Sequence, residues 1–318
     1  MMLRTEPITS VQNPKVKEAV SLGYRSDVRR ERGLFLVEGR REVERCLGAG
    51  FRARCIFWCP ELLPEEELQE VAGEGLRAVA GEGAPFSPAE NFGRACENGA
   101  PSPADDSGRA CENGAPSPAG TITRGCKVFE VSRAVYEKIA YRGGTEGIIA
   151  EVEWREFTLQ TLQRLPRKAP LIMVLESVEK PGNLGAVLRS ADAAGADAVI
   201  VCDPLTDLYN PNLIRASVGA VFTVPTVCCS SEEAIKWLKE SGIQILTAQL
   251  QDSSLYYDRD MTGPTAIVMG TESTGLSDRW REAADAHIRI PMLGVGDSLN
   301  VSVSAAILLF EAVRQRLP

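Results

Sequence analysis

The sequence predicts an α/β protein with two domains, and the C-terminal domain is expected to contain a parallel sheet. From residue 171 onward, buried-strand patterns such as LIMVLESV (171–178) and ADAVIVCD (196–203) alternate with helical patterns such as EEAIKWLKESG. This alternation is typical of βαβ units, whose parallel strands are covered by helices. The N-terminal part alternates on a smaller scale, with helical patterns at 40–47 and 133–140, and it predicts a smaller α/β domain.

Changes in composition divide the chain into domains at 1–152 and 170–318, joined by a linker at 153–169 that carries a short helical pattern. The first domain is interrupted at 81–126, where the segment GRACENGAPSPA occurs twice. This repeat is rich in Gly, Pro, Ala and Ser, and it offers too little apolar surface to offset the entropy of ordering. We therefore expect a disordered insertion within the first domain.

Composition excludes several classes of protein. The 318 residues are 44% hydrophobic, no run reaches eighteen apolar residues, and the first segment, MMLRTEPITS, lacks the apolar centre of a signal peptide. We therefore expect a cytoplasmic protein. The nine cysteines form no paired framework and His287 is the only histidine, so no metal site is expected. His287 is expected to be an exposed or hydrogen-bonded residue at the end of a strand.

Charge is unevenly distributed along the chain. The net charge of −8 argues against a grip on nucleic acid by the whole surface, because phosphate binding needs basic groups. Residues 1–45, however, contain ten Lys and Arg residues against seven Asp and Glu residues. Charge alone leaves two interpretations open for this segment: a local basic face that binds RNA, or a solvated helix surface with mixed charges.

Three polar loops follow predicted strands of the second domain, at 179–189, 270–276 and 294–300. Because the carboxyl ends of parallel strands lie along one edge of a sheet, we expect these loops to meet there. In the first loop, Asn183 is expected to cap a helix that begins near Leu184. By itself, this loop favours no more than a capped helix with a surface arginine.

The sequence contains neither a G-x-G-x-x-G fingerprint after a strand nor a G-x-x-x-x-G-K-[ST] phosphate loop, so an ordinary NAD or ATP enzyme is not expected. What remains is a ligand held mainly by backbone groups of neighbouring loops, with Asn, Ser, Glu and Arg side chains nearby. An adenosine-type cofactor suits such a site. Gly270, Ile290 and Leu299 would offer peptide groups to its edges.

Three segments carry a resemblance to a known family. PGNLGAVLRSADAAG, IVMGTESTGLS and IPMLGVGDSLNVSVSAAILLFEA resemble, in order and spacing, the three motifs of the SpoU (TrmH) family of RNA 2′-O-ribose methyltransferases. The N-terminal part is similar to the substrate-binding domain of the family's ribosomal RNA members. Only the insertion at 81–126 has no counterpart in the family's pattern.

The resemblance implies a deep trefoil knot in the C-terminal domain, S-adenosylmethionine as cofactor, RNA as substrate and a homodimer with the active site beside the interface. It places the cofactor at Gly270, Ile290, Leu299, Met269, Gly275 and Met292. It implies a catalytic surround of Arg189, Asn183, Glu272, Ser298 and Asn300. Together with the local basic charge, it points to RNA contacts by Arg29, Arg30, Arg32 and Arg40.

Several alternatives remain open at this stage. The family assigns proton removal to the arginine that matches Arg189, but a guanidinium is a poor base at neutral pH, so Arg189 could instead hold phosphate and stabilise developing oxyanion charge. Glu272 is expected either to act in catalysis or to brace its loop. The substrate implied is 23S ribosomal RNA, and the alternatives are transfer RNA or a catalytically inactive RNA-binding factor of ribosome assembly.

Overall fold

The structure, a computed structural model, describes residues 5–71, 126–141, 146–163, 168–271, 274–296 and 298–317. Within these residues the chain forms two sheets, one of five strands and one of seven. The repeats of the predicted insertion lie outside the described residues. Buried residues of both halves share one continuous hydrophobic core.

The N-terminal half is a mixed sheet with strand order β1-β4-β3-β5-β2. Its strands are β1 (Thr5–Ile8), β2 (Leu34–Glu38), β3 (Ala53–Trp58), β4 (Lys127–Val131) and β5 (Ile148–Glu153). Its helices are α1 (Pro14–Tyr24), α2 (Ser26–Arg32), α3 (Arg40–Gly48) and α4 (Arg133–Ile139). The helical patterns at 40–47 and 133–140 therefore correspond to α3 and α4. A capping interaction begins α1, because Asn13 Oδ1 accepts a hydrogen bond from Lys15 N at 2.8 Å.

The C-terminal half is an all-parallel sheet with strand order β10-β12-β9-β11-β6-β7-β8, as predicted. Its strands are β6 (Leu171–Glu176), β7 (Ala198–Cys202), β8 (Thr226–Cys229), β9 (Gln244–Ala248), β10 (Ser254–Leu255), β11 (Thr265–Met269) and β12 (Ala286–Arg289). The helices are α5 (Leu159–Leu162), α6 (Pro181–Ala193), α7 (Pro211–Ser217), α8 (Ala220–Thr223), α9 (Ser231–Glu240), α10 (Asp278–Ala283) and α11 (Val301–Arg316). The central strands are apolar throughout because helices cover both faces of a parallel sheet.

The start of α6 differs from the prediction. The helix begins at Pro181 with Lys180 as its N-cap, so Asn183 lies in the first turn and does not cap it. Proline is well suited to the first helical position, where its fixed φ fits and its missing N–H costs nothing. One face of α6 is apolar and packs into the core, where Leu184 and Leu188 are fully buried.

Aromatic side chains pack the two halves against each other. Phe35 of β2 stacks on Tyr209 with ring centroids 4.0 Å apart, and Phe51 contacts Phe222 of α8 edge-on at 5.2 Å. The segment after β5 joins this cluster, because Trp154 contacts Tyr209 edge-on at 4.7 Å. Such pairs add to the gain from burying their large apolar area.

A buried ion pair lies beside the aromatic cluster. Arg29 Nη2 of α2 is 2.6 Å from Asp207 Oδ2, and both side chains are 2% exposed. Arg29 Nη1 also donates to the backbone oxygen of Leu22 at 2.7 Å. Removing one member of a buried pair is costly because the other charge stays in the interior. The two halves are therefore held in one arrangement by a directional contact as well as by apolar packing.

We expect Arg29→Ala to lower the free energy of unfolding by about 3–5 kcal/mol, because Asp207 would remain buried without its cation. Arg32→Ala is the matched control on the same helix. Its side chain is 59% exposed and lies 3.6 Å from Glu18, so a change of only about 0–1 kcal/mol is expected. Denaturant unfolding of both variants measures the difference, and equal stabilities would show that the buried pair does not hold the halves together.

Candidate cofactor and RNA site

The loops that follow β6 and β11 meet at the carboxyl edge of the sheet. The two strands are hydrogen-bonded neighbours, with Leu175 paired to Met269 at their ends. A small cavity of about 110 Å³ lies between the loops and the start of α11. The cavity is lined by Val178, Glu179, Lys180, Asn183, Gly270, Thr271 and Val301. The structure thus brings together residues of the first two predicted loops and Val301, the residue directly after the third loop, at the edge where parallel sheets bind ligands.

Glycine is required where β11 ends. A Cβ built on Gly270 would lie 2.2 Å from the backbone oxygen of Gly275, a distance that no real Cβ contact shows. The turn is closed by two backbone hydrogen bonds between Thr271 and Gly275, of 3.2 and 3.1 Å, and Gly275 has φ of +69°. The backbone at this turn therefore approaches itself as closely as glycine allows. Glu272 lies outside the described residues, so its role stays a prediction.

A buried carboxylate missed in the sequence braces this turn from below. Glu176, at the end of β6, accepts hydrogen bonds from Ser277 N at 2.8 Å and from Ser277 Oγ at 2.6 Å. It also accepts one from Ser231 Oγ at 3.3 Å. The sequence offered one signal, an acidic residue that ends an otherwise apolar strand. Glu176 has the bracing role that was considered for Glu272.

Two asparagines join the first loop to the third. Asn300 caps α11 by accepting hydrogen bonds from Ser302 N at 2.9 Å and from Ser302 Oγ at 2.6 Å. Its amide nitrogen also donates to Asn183 Oδ1 at 3.3 Å. Asn183 therefore faces the third loop, which explains why it does not act as a helix cap. Ser298 is an exposed residue of this same loop.

The other residues predicted for the cofactor differ in exposure. Met269 is 6% exposed, and Ile290 and Met292 are partly buried beyond the end of β12. The following residues are open to solvent, with Leu293 at 97% and Leu299 at 37%. The third loop therefore presents large apolar side chains to solvent, which is unusual for a folded surface and marks a place where something else packs.

Arg189 lies on the exposed face of α6. Its side chain makes no hydrogen bond or ion pair with any residue in the described parts of the chain. Two turns of helix separate it from Asn183, so the structure places the two residues on one helix without joining them. Small residues, Gly182, Ala186 and Ala193, flank Arg189 on this face at helical spacing.

The four arginines predicted to bind RNA have different environments. The prediction for Arg29 is wrong, because its side chain is buried against Asp207 and cannot reach a phosphate. Arg40 is also a poor phosphate ligand, because its guanidinium contacts the carboxylates of Glu44, Glu67 and Glu70. Its pKa is raised, chiefly by the hydrogen bond to Glu44. Arg30 and Arg32 are exposed on α2, as an RNA contact requires.

The described residues show no group of His, Cys, Asp and Glu side chains that could hold a metal ion. His287 lies in β12, and its Nδ1 is 2.6 Å from Thr247 Oγ1, so it is a hydrogen-bonded strand residue. Within the same residues, no helix has both the length and the apolar character needed to cross a membrane.

The fold and the site together define an α/β protein whose parallel sheet carries a ligand site built from three loops at its carboxyl edge. Residues 170–310 match the SpoU rRNA Methylase family, and residues 13–82 match the MRM3-like substrate binding domain. The chain belongs to the SpoU family of RNA methyltransferases. The family resemblance of the sequence is thereby confirmed, and with it the expected class of enzyme.

Individual relatives agree with this membership. A 23S rRNA (guanosine-2′-O-)-methyltransferase, RlmB of Pseudomonas putida, is 38% identical over 179 residues, which are 55% of this chain and 72% of that protein. The crystal structure of an RNA 2′-O ribose methyltransferase is 37% identical, with a TM-score of 0.71 over 98% of this chain and 99% of that one. An AdoMet-bound rRNA methyltransferase from Sinorhizobium meliloti is 27% identical, with a TM-score of 0.77 over 99% of both chains.

We expect Gly270→Ala to destabilise the protein by about 1–3 kcal/mol, because the new Cβ forces the turn apart. It should also weaken binding of S-adenosylmethionine, the ligand named for the Sinorhizobium relative, by at least about tenfold. Gly263→Ala, just before β11, is the control, since a Cβ there meets nothing within 4 Å. Thermal unfolding and calorimetry measure the two effects, and an unchanged affinity in Gly270→Ala would remove this turn from the cofactor site.

Proposed function

We propose that this enzyme transfers a methyl group from S-adenosylmethionine to the 2′-oxygen of a nucleotide in 23S ribosomal RNA, in the cytoplasm. The observation that carries this proposal is the cavity between the first two loops, to which the Asn183–Asn300 hydrogen bond joins the third loop. The relatives named for ribosomal RNA methylation support ribosomal RNA over transfer RNA as substrate. Retention of Asn183, Arg189, Ser298 and Asn300 favours an active enzyme over an inactive assembly factor.

S-adenosylmethionine supplies, when bound, a methyl group on a sulfonium that is already a good leaving group. The chain must therefore position the ribose 2′-oxygen and assist the loss of its proton. We assign the positioning to Asn183 and Asn300, which fix each other's orientation, with Ser298 in the same loop. The cofactor side of the site is formed by the turn residues Gly270 and Gly275, together with Met269, Ile290, Met292 and Leu299.

Arg189 has two roles in this proposal. A guanidinium keeps its charge at neutral pH, so it stabilises negative charge that develops on the 2′-oxygen and holds the adjoining phosphate. Direct proton removal by Arg189 is the other interpretation, and it requires a guanidinium of unusual environment. In a single chain Arg189 faces solvent, so either role requires a partner surface to enclose it.

A second copy of the chain provides that surface in our proposal. On helix α11, Val303 is 46% exposed and Phe310 is 47% exposed on one stripe. Helix α6 packs against α11 and carries Arg189 between small residues that allow close helix approach. A homodimer formed by this face would cover the apolar residues and complete the site. We also propose that the loop after β12 forms part of the trefoil knot that the family resemblance implies.

We expect Arg189→Ala to reduce methyl transfer to 23S ribosomal RNA by about a hundredfold to a thousandfold, because removing a single group that stabilises transition-state charge has this scale of effect. Affinity for S-adenosylmethionine should change by no more than a few fold. Arg279→Ala, at an exposed position of α10, is the control that removes an arginine elsewhere. Tritium transfer and calorimetry measure the two quantities. Equal turnover in Arg189→Ala and Arg279→Ala would exclude Arg189 from the mechanism.

We expect Phe310→Asp to convert the dimer to a monomer and to lower methyl transfer at least about tenfold, because a carboxylate in an apolar interface is desolvated without a partner. Leu250→Asp is the matched control, since Leu250 is 54% exposed on another part of the surface. Light scattering reports the mass of both variants. A wild-type protein that is fully active as a monomer would contradict the proposed dimer.

A further inference from the structure

A second and larger cavity lies between the two halves of the chain, away from the three loops. Its volume is about 390 Å³, within the range of roughly 300–1,000 Å³ typical of small-molecule sites. Strand β2 and helix α3 form one side, and the first turn of α7 forms the other. The groups that matter for recognition are carboxylates, arginines and one tyrosine, and neither the cofactor site nor the buried ion pair uses them.

The carboxylate of Glu42 lies inside this cavity, where the backbone N–H of Glu42 itself donates a hydrogen bond to it. Its residue is 7% exposed, and in the described residues no other side chain donates a hydrogen bond to it. The nearest cation is Arg41, whose Nη2 lies 3.8 Å from Glu42 Oε1. Burial raises the pKa of the Glu42 carboxyl, and the neighbouring charge of Glu146 adds to this effect. An ionised carboxylate can accept about four hydrogen bonds, so one backbone donor leaves further acceptor positions of Glu42 available to a ligand.

Glycine allows two carboxylates to share one end of the cavity. Gly39 has φ of +104°, and a Cβ built on it would lie 2.7 Å from Glu42 Oε2 and 3.0 Å from Glu146 Oε2. The absence of a side chain at Gly39 therefore leaves room for both acids. Glu146 is fixed there because its Oε2 accepts a hydrogen bond from Arg40 N at 2.6 Å.

Aromatic and basic groups flank the carboxylates. Tyr141 lines the cavity, and its ring lies 5.2 Å from the largely exposed ring of Tyr24. The hydroxyl of Tyr141 accepts a hydrogen bond from Asn212 Nδ2 at 3.1 Å, which fixes the ring in place. Two exposed arginines, Arg41 and Arg215, stand on opposite sides of the cavity. An aromatic face, acceptors at the inner end and cations at the rim are the groups that hold a single-stranded nucleotide.

We propose that this cavity binds a guanine base of the RNA substrate, extruded from its stack, with Glu42 accepting hydrogen bonds from guanine N1–H and N2–H. The inference rests on the proposed function, since it assigns a base-recognition site to the same RNA. Tyr141 stacks on the base, and Arg41 and Arg215 hold its flanking phosphates.

Guanine is the base that fits because of its donor pattern. Its N1–H and N2–H groups lie side by side and match the two oxygens of one carboxylate. Adenine presents an acceptor at N1, which would face the carboxylate with its lone pair, and hypoxanthine lacks the 2-amino donor. Sites built to pair with a donor reject analogues that lack it, because the buried acceptor is left unsatisfied.

Calorimetry on the full chain, with nucleoside monophosphates as probes, tests the inference without any mutation. We expect guanosine monophosphate to bind at least about tenfold more tightly than inosine monophosphate and adenosine monophosphate, because a lost pairing of a buried charge costs at least this factor. Equal affinities for the three nucleotides, or no binding of guanosine monophosphate, would overturn the inference. These measurements need no cofactor and no methyl transfer.

Variants then locate the binding. Glu42→Gln keeps the volume but replaces one acceptor by a donor, so the preference for guanosine monophosphate should be lost and KM for a 23S ribosomal RNA transcript should rise while kcat changes little. Glu31→Gln, an exposed residue of α2, is the matched control and should behave as wild type. A thermal melt verifies that each variant is folded. If Glu42→Gln does not fold, the comparison of guanosine and inosine monophosphates on the wild-type protein still tests whether the cavity prefers guanine. An unchanged guanine preference in folded Glu42→Gln would overturn the assignment.

The two proposals fail in distinguishable ways. Absence of methyl transfer by wild-type enzyme would contradict the proposed function, while the nucleotide affinities would still report on the cavity. Normal methyl transfer without any guanine preference would remove the base-recognition site and leave the proposed function standing.

Discussion

A buried charged contact between the two halves, the ion pair between Arg29 and Asp207, constrains their relative position. A charge in the interior is tolerated only when a partner of opposite charge lies at hydrogen-bonding distance, so the pair permits one arrangement of α2 against the segment before α7. Apolar packing alone is less directional, since the rings of Phe35 and Tyr209 could slide over each other at small cost. The hydrogen bond from Asn212 to the hydroxyl of Tyr141 joins the halves beside the cavity between them.

The parallel sheet could be predicted from the sequence because most of its strands are short apolar segments that can be recognised locally. Strands β6 and β11 are apolar except for Glu176 at the end of β6 and Thr265 at the start of β11, as expected for strands buried on both faces, and the polar loops after them are short. Their meeting at one edge follows from parallel pairing. The role of Asn183 could not be predicted in this way. Its partner Asn300 is 117 residues away, and a local pattern shows only that asparagine near a proline suits a helix start.

The failure at Arg29 has a similar origin. The segment RRER presents three arginines within four residues, and all three look alike in the sequence. Helix α2 turns Arg29 inward because that position faces α1 and Asp207, whereas its neighbours Arg30 and Arg32 point to solvent. A count of basic residues therefore cannot separate the arginine that holds the fold from those able to meet RNA. The distinction depends on a contact across 178 residues of chain.

Charge pairing also limits how this chain can grip RNA. The guanidinium of Arg40 is paired with three carboxylates. The number of basic residues near the N-terminus is therefore larger than the number available to bind phosphate. With a net charge of −8, general attraction to a polyanion is weak. Recognition must then depend more on shaped contacts than on charge. Bases placed in defined cavities discriminate between sequences, whereas phosphate contacts chiefly set position, so an acidic enzyme of this kind gains selectivity where it loses general affinity.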